Sequence, residues 1–466
     1  MNKPNILFIT TDQQRYDSIA ALGYPWMKTP RLDRLAAEGA SLTHCYAAAP
    51  SCVPSRYSLF NAKYPHTGNV TSNGGKWGNS WVGSLNKAGW CCVNVGKMHT
   101  IPMDAAAGFH QRFVIENKDR ADVSEPRVKF WDEWDKFLLN NRQEKPCRHT
   151  FIHHPEYETA LGAYAWPLEK KYHSDEFTGN LAAAYIDQYT GDAPLFLEVG
   201  FPGPHPPYDP PQEYLDMYAD TDIPVPNVTD DEVARQPACH AIYRKEMCVG
   251  NHDAVKWHVR PSATALLRLR RHYAANMTLI DQKIGEILDA LERRGMLENT
   301  IIIFTSDHGD CLGDHGLVQK WNMYEESVRV PTLIHAPGRV AAGTLHHGLT
   351  QQMDLARWLF DELNLPVPAD WEAEPIKLGA ESSREFVFAE QGRDGVWKGA
   401  DYQIMVRSVT HKLVCYPGKE YGELYDLVTD PSELRNEWDS PRHADIRARL
   451  MEEARKFIPG VRLSKS

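Results

Sequence analysis

The stretch Ser51-Cys52-Val53-Pro54-Ser55-Arg56 sets a thiol, a hydroxyl and a guanidinium side by side. Pro54 suits the first turn of a helix, where its missing N–H would have no partner anyway, and Tyr57-Ser58-Leu59-Phe60 can continue that helix. Cys52 is thereby expected at a helix N-terminus, where free N–H groups and the dipole favour an anion. Arg56, four residues on, projects from the same face and is suited to hold an oxyanion or a negatively charged nucleophile. On the local pattern alone, a buried inert cysteine beside a surface arginine fits about as well.

Other candidate groups follow apolar, strand-like runs. Ile6–Thr10 ends at Thr11-Asp12-Gln13, Trp90–Val95 at Gly96-Lys97-Met98-His99, Pro194–Val199 before Pro204-His205, and Thr300–Phe304 at Thr305-Ser306-Asp307-His308. Continuous β-branched and aromatic runs of this length suit strands buried on both faces. Helical segments lie between them, one from Thr29-Pro30 to Gly39 and one from about Ser262 to Arg294. The pattern predicts an α/β fold with a large, doubly wound, mostly parallel sheet flanked by helices. Ligands in such folds bind beyond the carboxyl ends of the strands, where all four polar clusters would meet.

From about Arg384 the runs Glu385–Glu390, Tyr402–Val409, Lys412–Tyr416 and Gly422–Leu427 follow one another without helices, and a helix from about His443 to Phe457 ends the pattern. This predicts a smaller α+β subdomain of antiparallel strands. The expected division is 1–375 and 376–466, the boundary falling between Pro366 and Ser383. The stretches 104–170 and 206–260 read as long loops or insertions over the site.

The chain has 466 residues, 42% hydrophobic and 24% charged, with a formal net charge of -11. That balance suits a globular protein and argues against nucleic acid as a partner. It leaves room for an anionic substrate, because a few local cations and a metal reverse the field within one pocket. Nine cysteines without a CxxC pair read as reduced thiols. With no leader pattern and no long apolar run, the expectation is a cytoplasmic protein that does not enter a membrane.

The Cys-x-Pro-Ser-Arg run at Cys52, Pro54, Ser55 and Arg56 resembles the signature of the formylglycine-dependent sulfatases of the alkaline phosphatase superfamily. The resemblance extends through Pro4-Asn5-Ile6-Leu7-Phe8, Lys28-Thr29-Pro30, Gly96-Lys97-Met98-His99, Pro204-His205-Pro206-Pro207, Thr305-Ser306-Asp307-His308-Gly309 and Glu423-Leu424-Tyr425-Asp426-Leu427. It implies an alkaline phosphatase-like fold and oxidation of Cys52 to formylglycine by the formylglycine-generating enzyme. Asn61-Ala62 stands where the family usually has Thr-Gly, which bears on the efficiency of that conversion. Asp12-Gln13 and Asp307-His308 replace Asp-Asp and Asp-Asn, a pattern closer to the choline sulfatase and phosphonate monoester hydrolase branch.

The resemblance also implies roles. Asp12, Asp307 and His308 would join residue 52 on one divalent cation, Ca²⁺ or, given the imidazole, Mn²⁺. Gln13 is either a further ligand or a residue that holds the loop. The hydrated aldehyde attacks sulfur and leaves a covalent sulfate ester, which is then released by C–O cleavage. Lys97 and Lys320 would bind sulfate oxygens, His99 would act as base on the hydrate, and His205 with Lys320 would protonate the leaving oxygen or hold the substrate. Asn73 reads as a substrate contact or, with the following glycine, a turn, and the turn is the stronger reading. His153, His154, His315, His346 and His347 show no ligand spacing. The expected substrate is a small anionic ester and the expected assembly a homo-oligomer. A phosphonate monoester or phosphodiester hydrolase is the rival within the same chemistry. A thiol-dependent or non-catalytic metal-binding protein with unmodified Cys52 is the rival outside it.

Overall fold

Four apolar runs of the sequence become adjacent parallel strands. In this computed structural model, which describes residues 3–116, 130–250, 252–380 and 384–460, they are β1 (Asn5–Asp12), β4 (Cys91–Gly96), β6 (Leu195–Pro204) and β7 (Thr300–Ser306). They form the middle of an eight-stranded sheet ordered β5-β4-β6-β1-β7-β8-β2-β9. The outer strands are β2 (Ala40–Leu42), β5 (Gln111–Val114), β8 (Thr332–His335) and β9 (Thr344–His346). Only β8 runs against the others, pairing antiparallel with β7 and β2.

The two faces follow the period of two. Leu7, Ile9, Val93, Val95, Leu197, Val199, Ile302 and Phe304 face the long helix Ala263–Arg293 through Tyr273, Met277, Ile280, Ile284 and Leu288. Ile6, Phe8, Cys92, Phe196, Ile301 and Ile303 face the opposite core, with Val53, Leu59 and Phe60 of the helix Cys52–Asn61 and Leu355 of Asp354–Glu362. The expected helix after Thr29 is Pro30–Glu38, buried through Leu32, Leu35 and Ala36. A sheet covered on both sides leaves its carboxyl edge as the place where polar side chains can gather.

A pair, β3 (Cys45–Tyr46) with β10 (Thr350–Gln351), stands beside the main sheet. The C-terminal strands β11 (Val387–Gly392), β12 (Tyr402–Arg407), β13 (His411–Cys415) and β14 (Gly422–Asp426) form an antiparallel meander. Helix Ala444–Phe457 covers it through Leu450, Met451 and Ala454, which pack on Ile404, Val406, Leu413 and Leu424.

The two stretches expected as loops are more regular than that. The first contributes edge strand β5 and helices Glu133–Asn140 and Arg148–Ile152; the second contributes Gln212–Asp216, Asp230–Arg235 and Ala238–Val249. These helices are short, and their apolar residues join the main core, as Trp134, Tyr214 and Tyr243 do. Tertiary packing, rather than a long amphipathic pattern, stabilises them. Residues 117–129 and 251 of these stretches, and 381–383 of the expected boundary, lie outside the described residues. Among the described residues no helix is long and apolar enough to cross a membrane, and all nine cysteines are free.

Candidate active site

The nucleophile candidate sits at the start of its helix. Helix Cys52–Asn61 begins after Ser51, which has extended backbone (φ -153°). Ser51 does not cap the helix with its hydroxyl, which donates instead to Gln391 Oε1 on β11 at 2.6 Å. The cap is Asn73, whose Oδ1 accepts from Val53 N at 3.1 Å. Asn73 N in turn donates to Asp394 just past β11. The C-terminal sheet thus reaches across to orient the first turn of this helix. Asn73 sits in the turn its sequence suggested, and its side chain has this further task, which a turn signal alone does not reveal.

Four parallel strands deliver the rest. β1 ends at Asp12, and the chain then turns sharply through Gln13 (φ 71°), whose N–H donates to Asp307 Oδ1 at 2.9 Å. β7 ends just before Asp307 and His308. β4 ends at Gly96, where φ is 113° and a Cβ would lie 2.0 Å from Gly200 O. Only glycine permits that approach to β6, and it sets Lys97 N against Gly200 O at 2.8 Å. Lys97 then extends to Asp12, with Nζ 2.6 Å from Oδ2.

Asp12, Cys52, Asp307 and His308 are all buried, and one donor atom of each lies within 4.8 Å of the others. Cys52 Sγ is 3.8 Å from Asp12 Oδ1, 3.2 Å from His308 Nε2 and 3.0 Å from Lys320 Nζ. His308 Nδ1 lies 3.0 Å from Gly309 O; a proton held there leaves Nε2 with its lone pair toward the cluster. Two carboxylates, an imidazole and residue 52 form a donor set that fits one divalent cation.

Arg56 does not face the open side of this cluster. It is fully buried and donates through Nε to Asp307 Oδ2 (2.8 Å), through Nη1 to Lys97 O (2.8 Å) and through Nη2 to Asp12 Oδ2 (3.2 Å). Its planar fork fixes the spacing of the two carboxylates, which a flexible ammonium would not do. Ser55 Oγ donates to Asp307 O at 2.5 Å, tying the same helix turn to β7. Gln13 spans two groups: Oε1 accepts from Lys320 Nζ at 2.7 Å, and Nε2 donates to Asp310 Oδ2 at 2.7 Å. This is the loop-holding arrangement.

Electrostatics follow from burial and proximity. Burial alone would raise Asp12, yet Lys97, ahead of His205, Lys320 and Arg56, holds its carboxyl well below the usual range. Burial, ahead of the neighbouring Asp12 charge, pushes the Cys52 thiol up to about 12. With no metal bound, an unmodified Cys52 is therefore a neutral thiol and a poor nucleophile. Burial would lower Lys320, but Cys52, Asp12 and Asp253 raise it, so it stays charged. Burial and then Lys320 hold His205 well below its ordinary value.

His205 follows β6, with Nδ1 2.7 Å from Pro206 O and Nε2 3.6 Å from Asp253 Oδ2. His99 follows β4 at φ 57°, with its backbone held by Glu116 Oε1 (3.2 Å) and Trp77 Nε1 (3.1 Å). The sequence reading did not single out Asp310, His252 or Asp253. Asp310 accepts from Gln13, Tyr208, Leu312 N and Gln319 N, and so fixes the loop that carries Lys320. Its signal was the short spacing from Asp307. His252 and Asp253, with Nε2 and Oδ2 3.1 Å apart, lie in an irregular stretch that offers no signal.

A sulfatase family model matches residues 4–365, and a model of the C-terminal part of N-sulphoglucosamine sulphohydrolase matches residues 313–458. The chain is 28% identical to an arylsulfatase of Clostridium perfringens, over 93% of this chain and 90% of that protein. It is also 28% identical to a choline-sulfatase of Rhizobium meliloti, over 94% and 83%. Among solved structures, the phosphonate monoester hydrolase of Silicibacter pomeroyi superposes with a TM-score of 0.80 at 22% identity, covering 98% of this chain and 95% of that one. Such a likeness establishes a shared alkaline phosphatase-like fold. By its sequence over most of its length, the chain belongs to the sulfatase family.

Proposed function

We propose that this protein hydrolyses sulfate monoesters, in the manner of an arylsulfatase, with residue 52 as the nucleophile after conversion of Cys52 to formylglycine. The observation that carries the reading is the meeting of Cys52 Sγ with His308 Nε2, Asp12 and Lys320 Nζ in one buried cluster. The sulfur marks where the modified side chain would place its oxygen. Formylglycine supplies a hydrated aldehyde: one hydroxyl forms the ester to sulfur as the alcohol departs, and the other lets that ester leave by C–O cleavage. A divalent ion held by Asp12, Asp307, His308 and residue 52 would supply Lewis acidity that favours the deprotonated hydroxyl.

The remaining steps fall to this chain's own side chains. Arg56 and Lys97 keep Asp12 ionised and in place. Lys97 and Lys320 bind the nonbridging oxygens of the substrate. Lys320, held in its charged form, stabilises the negative charge that develops on the leaving oxygen. His205, held neutral and anchored through Nδ1, orients the substrate. His99 takes the proton from the second hydroxyl.

A phosphonate monoester or phosphate diester carries the same single negative charge on a tetrahedral centre, so three cations around two carboxylates suit it as well. Two measurements test the reading. Mass spectrometry of the residue 52 peptide from natively produced, active protein should show formylglycine; unmodified cysteine there sinks the aldehyde route. Parallel kcat/KM values should favour an aryl sulfate over an aryl phosphonate, and the reverse by a large factor transfers the assignment to the phosphonate reading.

A further inference from the structure

We propose that His411, Asp426 and His443 form a second metal site, of the zinc class, that clips the start of the C-terminal helix to the β13–β14 hairpin. One donor atom from each of the three lies within 4.8 Å of the others, and each residue is half-buried rather than fully exposed. None of them belongs to the cluster around Cys52.

Regular structure, not a flexible loop, brings these groups together. His411 opens β13 and Asp426 closes β14, and the two are directly opposed in the antiparallel register. Directly opposed side chains on one face are close neighbours. His443 immediately precedes helix Ala444–Phe457 and stands at its N-cap position. The two imidazoles have centroids 6.0 Å apart and planes 58° apart, so they converge without stacking.

Each donor is held from behind, as metal ligands are. His411 Nδ1 lies 2.9 Å from Thr410 Oγ1, and His443 Nδ1 lies 3.3 Å from Ser440 Oγ. Those hydroxyls can accept the ring proton at Nδ1, which makes Nε2 the lone-pair nitrogen. Asp426 is fixed by Val428 N at 3.0 Å on Oδ1 and by Thr429 Oγ1 at 2.9 Å on Oδ2. Thr429 N also donates to Oδ1, at 3.4 Å, so Oδ2 is the oxygen that keeps a further lone pair. A cavity of about 360 Å³ opens beside the cluster, lined in part by Asp426, His443 and Glu437. Glu437 Oε2 is 3.8 Å from His443 Nδ1, and Arg435 Nε, 2.6 Å from Glu437 Oε1, limits the local negative charge.

Two imidazoles and one carboxylate, with space for a water or a second carboxylate, match Zn²⁺ and its neighbours Ni²⁺ and Cu²⁺ better than Ca²⁺ or Mg²⁺. Bound to the folded form, the ion would stabilise the contact between strand pair and helix.

The test is calorimetric titration of the full chain with Zn²⁺ after chelator treatment, for the wild type and for His411→Ala/His443→Ala. The wild type should take up two equivalents and the variant one, with turnover at a saturated catalytic site unchanged. Zinc should also raise the wild type's Tm by more than the variant's. Equal zinc uptake by the two proteins overturns the site, as does a difference that vanishes only when Asp12 is also replaced. If the double variant does not fold, His443→Ala, whose side chain is 24% exposed, gives the same reading. These outcomes do not depend on which ester the protein hydrolyses.

Discussion

Among the buried charge clusters of the described residues, two are built on opposite plans. One is the edge of the large sheet around Cys52. The other is the seam between that body and the C-terminal sheet, where Glu325 meets Lys412 Nζ at 3.2 Å, Arg407 Nε at 3.7 Å and the Tyr46 hydroxyl at 2.8 Å. Glu433 completes the seam, bonded to Lys412 and accepting from Glu325 N at 2.8 Å. There each charge ends on a partner from the facing layer. Burial would raise Glu325, but Lys412, ahead of Arg407 and Arg329, holds it down to about 2. Around Cys52 the groups converge on a shared point instead. Lys320 bonds an amide oxygen and a sulfur and lies over the Trp321 ring at 5.3 Å, and among the described residues it forms no carboxylate salt bridge. Burial alone does not mark a site; charge left unmatched by carboxylates does.

The contrast is most exposed to test at Lys412, and the largest expected effect on stability is there. Lys412→Met leaves part of the Glu325 charge uncompensated in the interior. It also takes the partner from Glu433, whose carboxyl burial pushes up to about 8. Together these losses cost about 3 kcal/mol of stability. Thermal or urea unfolding reads the loss. Turnover per folded molecule should stay at the wild-type value, and a fall in kcat of tenfold would mean that the seam is not a purely structural cluster.

Lys320→Met is the mirror experiment. Removing a preorganised cation from the position of the transferring group should lower kcat/KM by about 10²–10³-fold. Stability should fall by less than in Lys412→Met, because Lys320 has no carboxylate salt-bridge partner to leave behind. Gln13 Oε1 still loses its donor, and the favourable field of Asp12 and Asp253 on the ammonium is lost. A loss of stability as large as that of Lys412→Met would erase the distinction between the clusters.

The same distinction explains which parts of the structure were legible in the sequence. The strands ending at Asp12, Lys97, His205 and Asp307 were readable because apolar runs followed by polar residues reflect burial on two faces. The C-terminal strands and their helix were readable for the same reason. The partners of Arg56 were not, because its two carboxylates come from strands 295 positions apart in the chain (12 and 307), and local spacing carries no record of that. The seam was invisible too: Lys412 and Glu433 meet Glu325 from 87 and 108 positions away, separations that local spacing does not record either. His315 belongs with them. It had no ligand spacing, and it lies against Glu232 (2.9 Å) and Glu326 (3.3 Å), stacked on Tyr324, where burial is outweighed and the ring is pushed up to about 10.

Glu198 tests the comparison most finely, because it fits neither plan. It is fully buried in β6 and accepts from Thr10 Oγ1 at 3.0 Å and Asn94 Nδ2 at 2.5 Å, two neutral donors from flanking strands. Burial, against a weaker pull from Arg56, pushes its carboxyl up to about 7. The folded protein therefore holds a proton that the unfolded chain releases near the ordinary glutamate value. The contribution to stability is fully present below about pH 4.5 and is lost as pH rises through about 7. The slope approaches about 1.4 kcal/mol per pH unit within that window, about 3 kcal/mol in all. Glu198→Gln should flatten this part of the stability profile and raise Tm at pH 8, since the amide oxygen still accepts from Asn94 and the Thr10 hydroxyl can turn to accept from the amide nitrogen. An unchanged profile would mean that Arg56 keeps Glu198 ionised from within the catalytic cluster, and the carboxylate would then count among the groups that balance that cluster's charge.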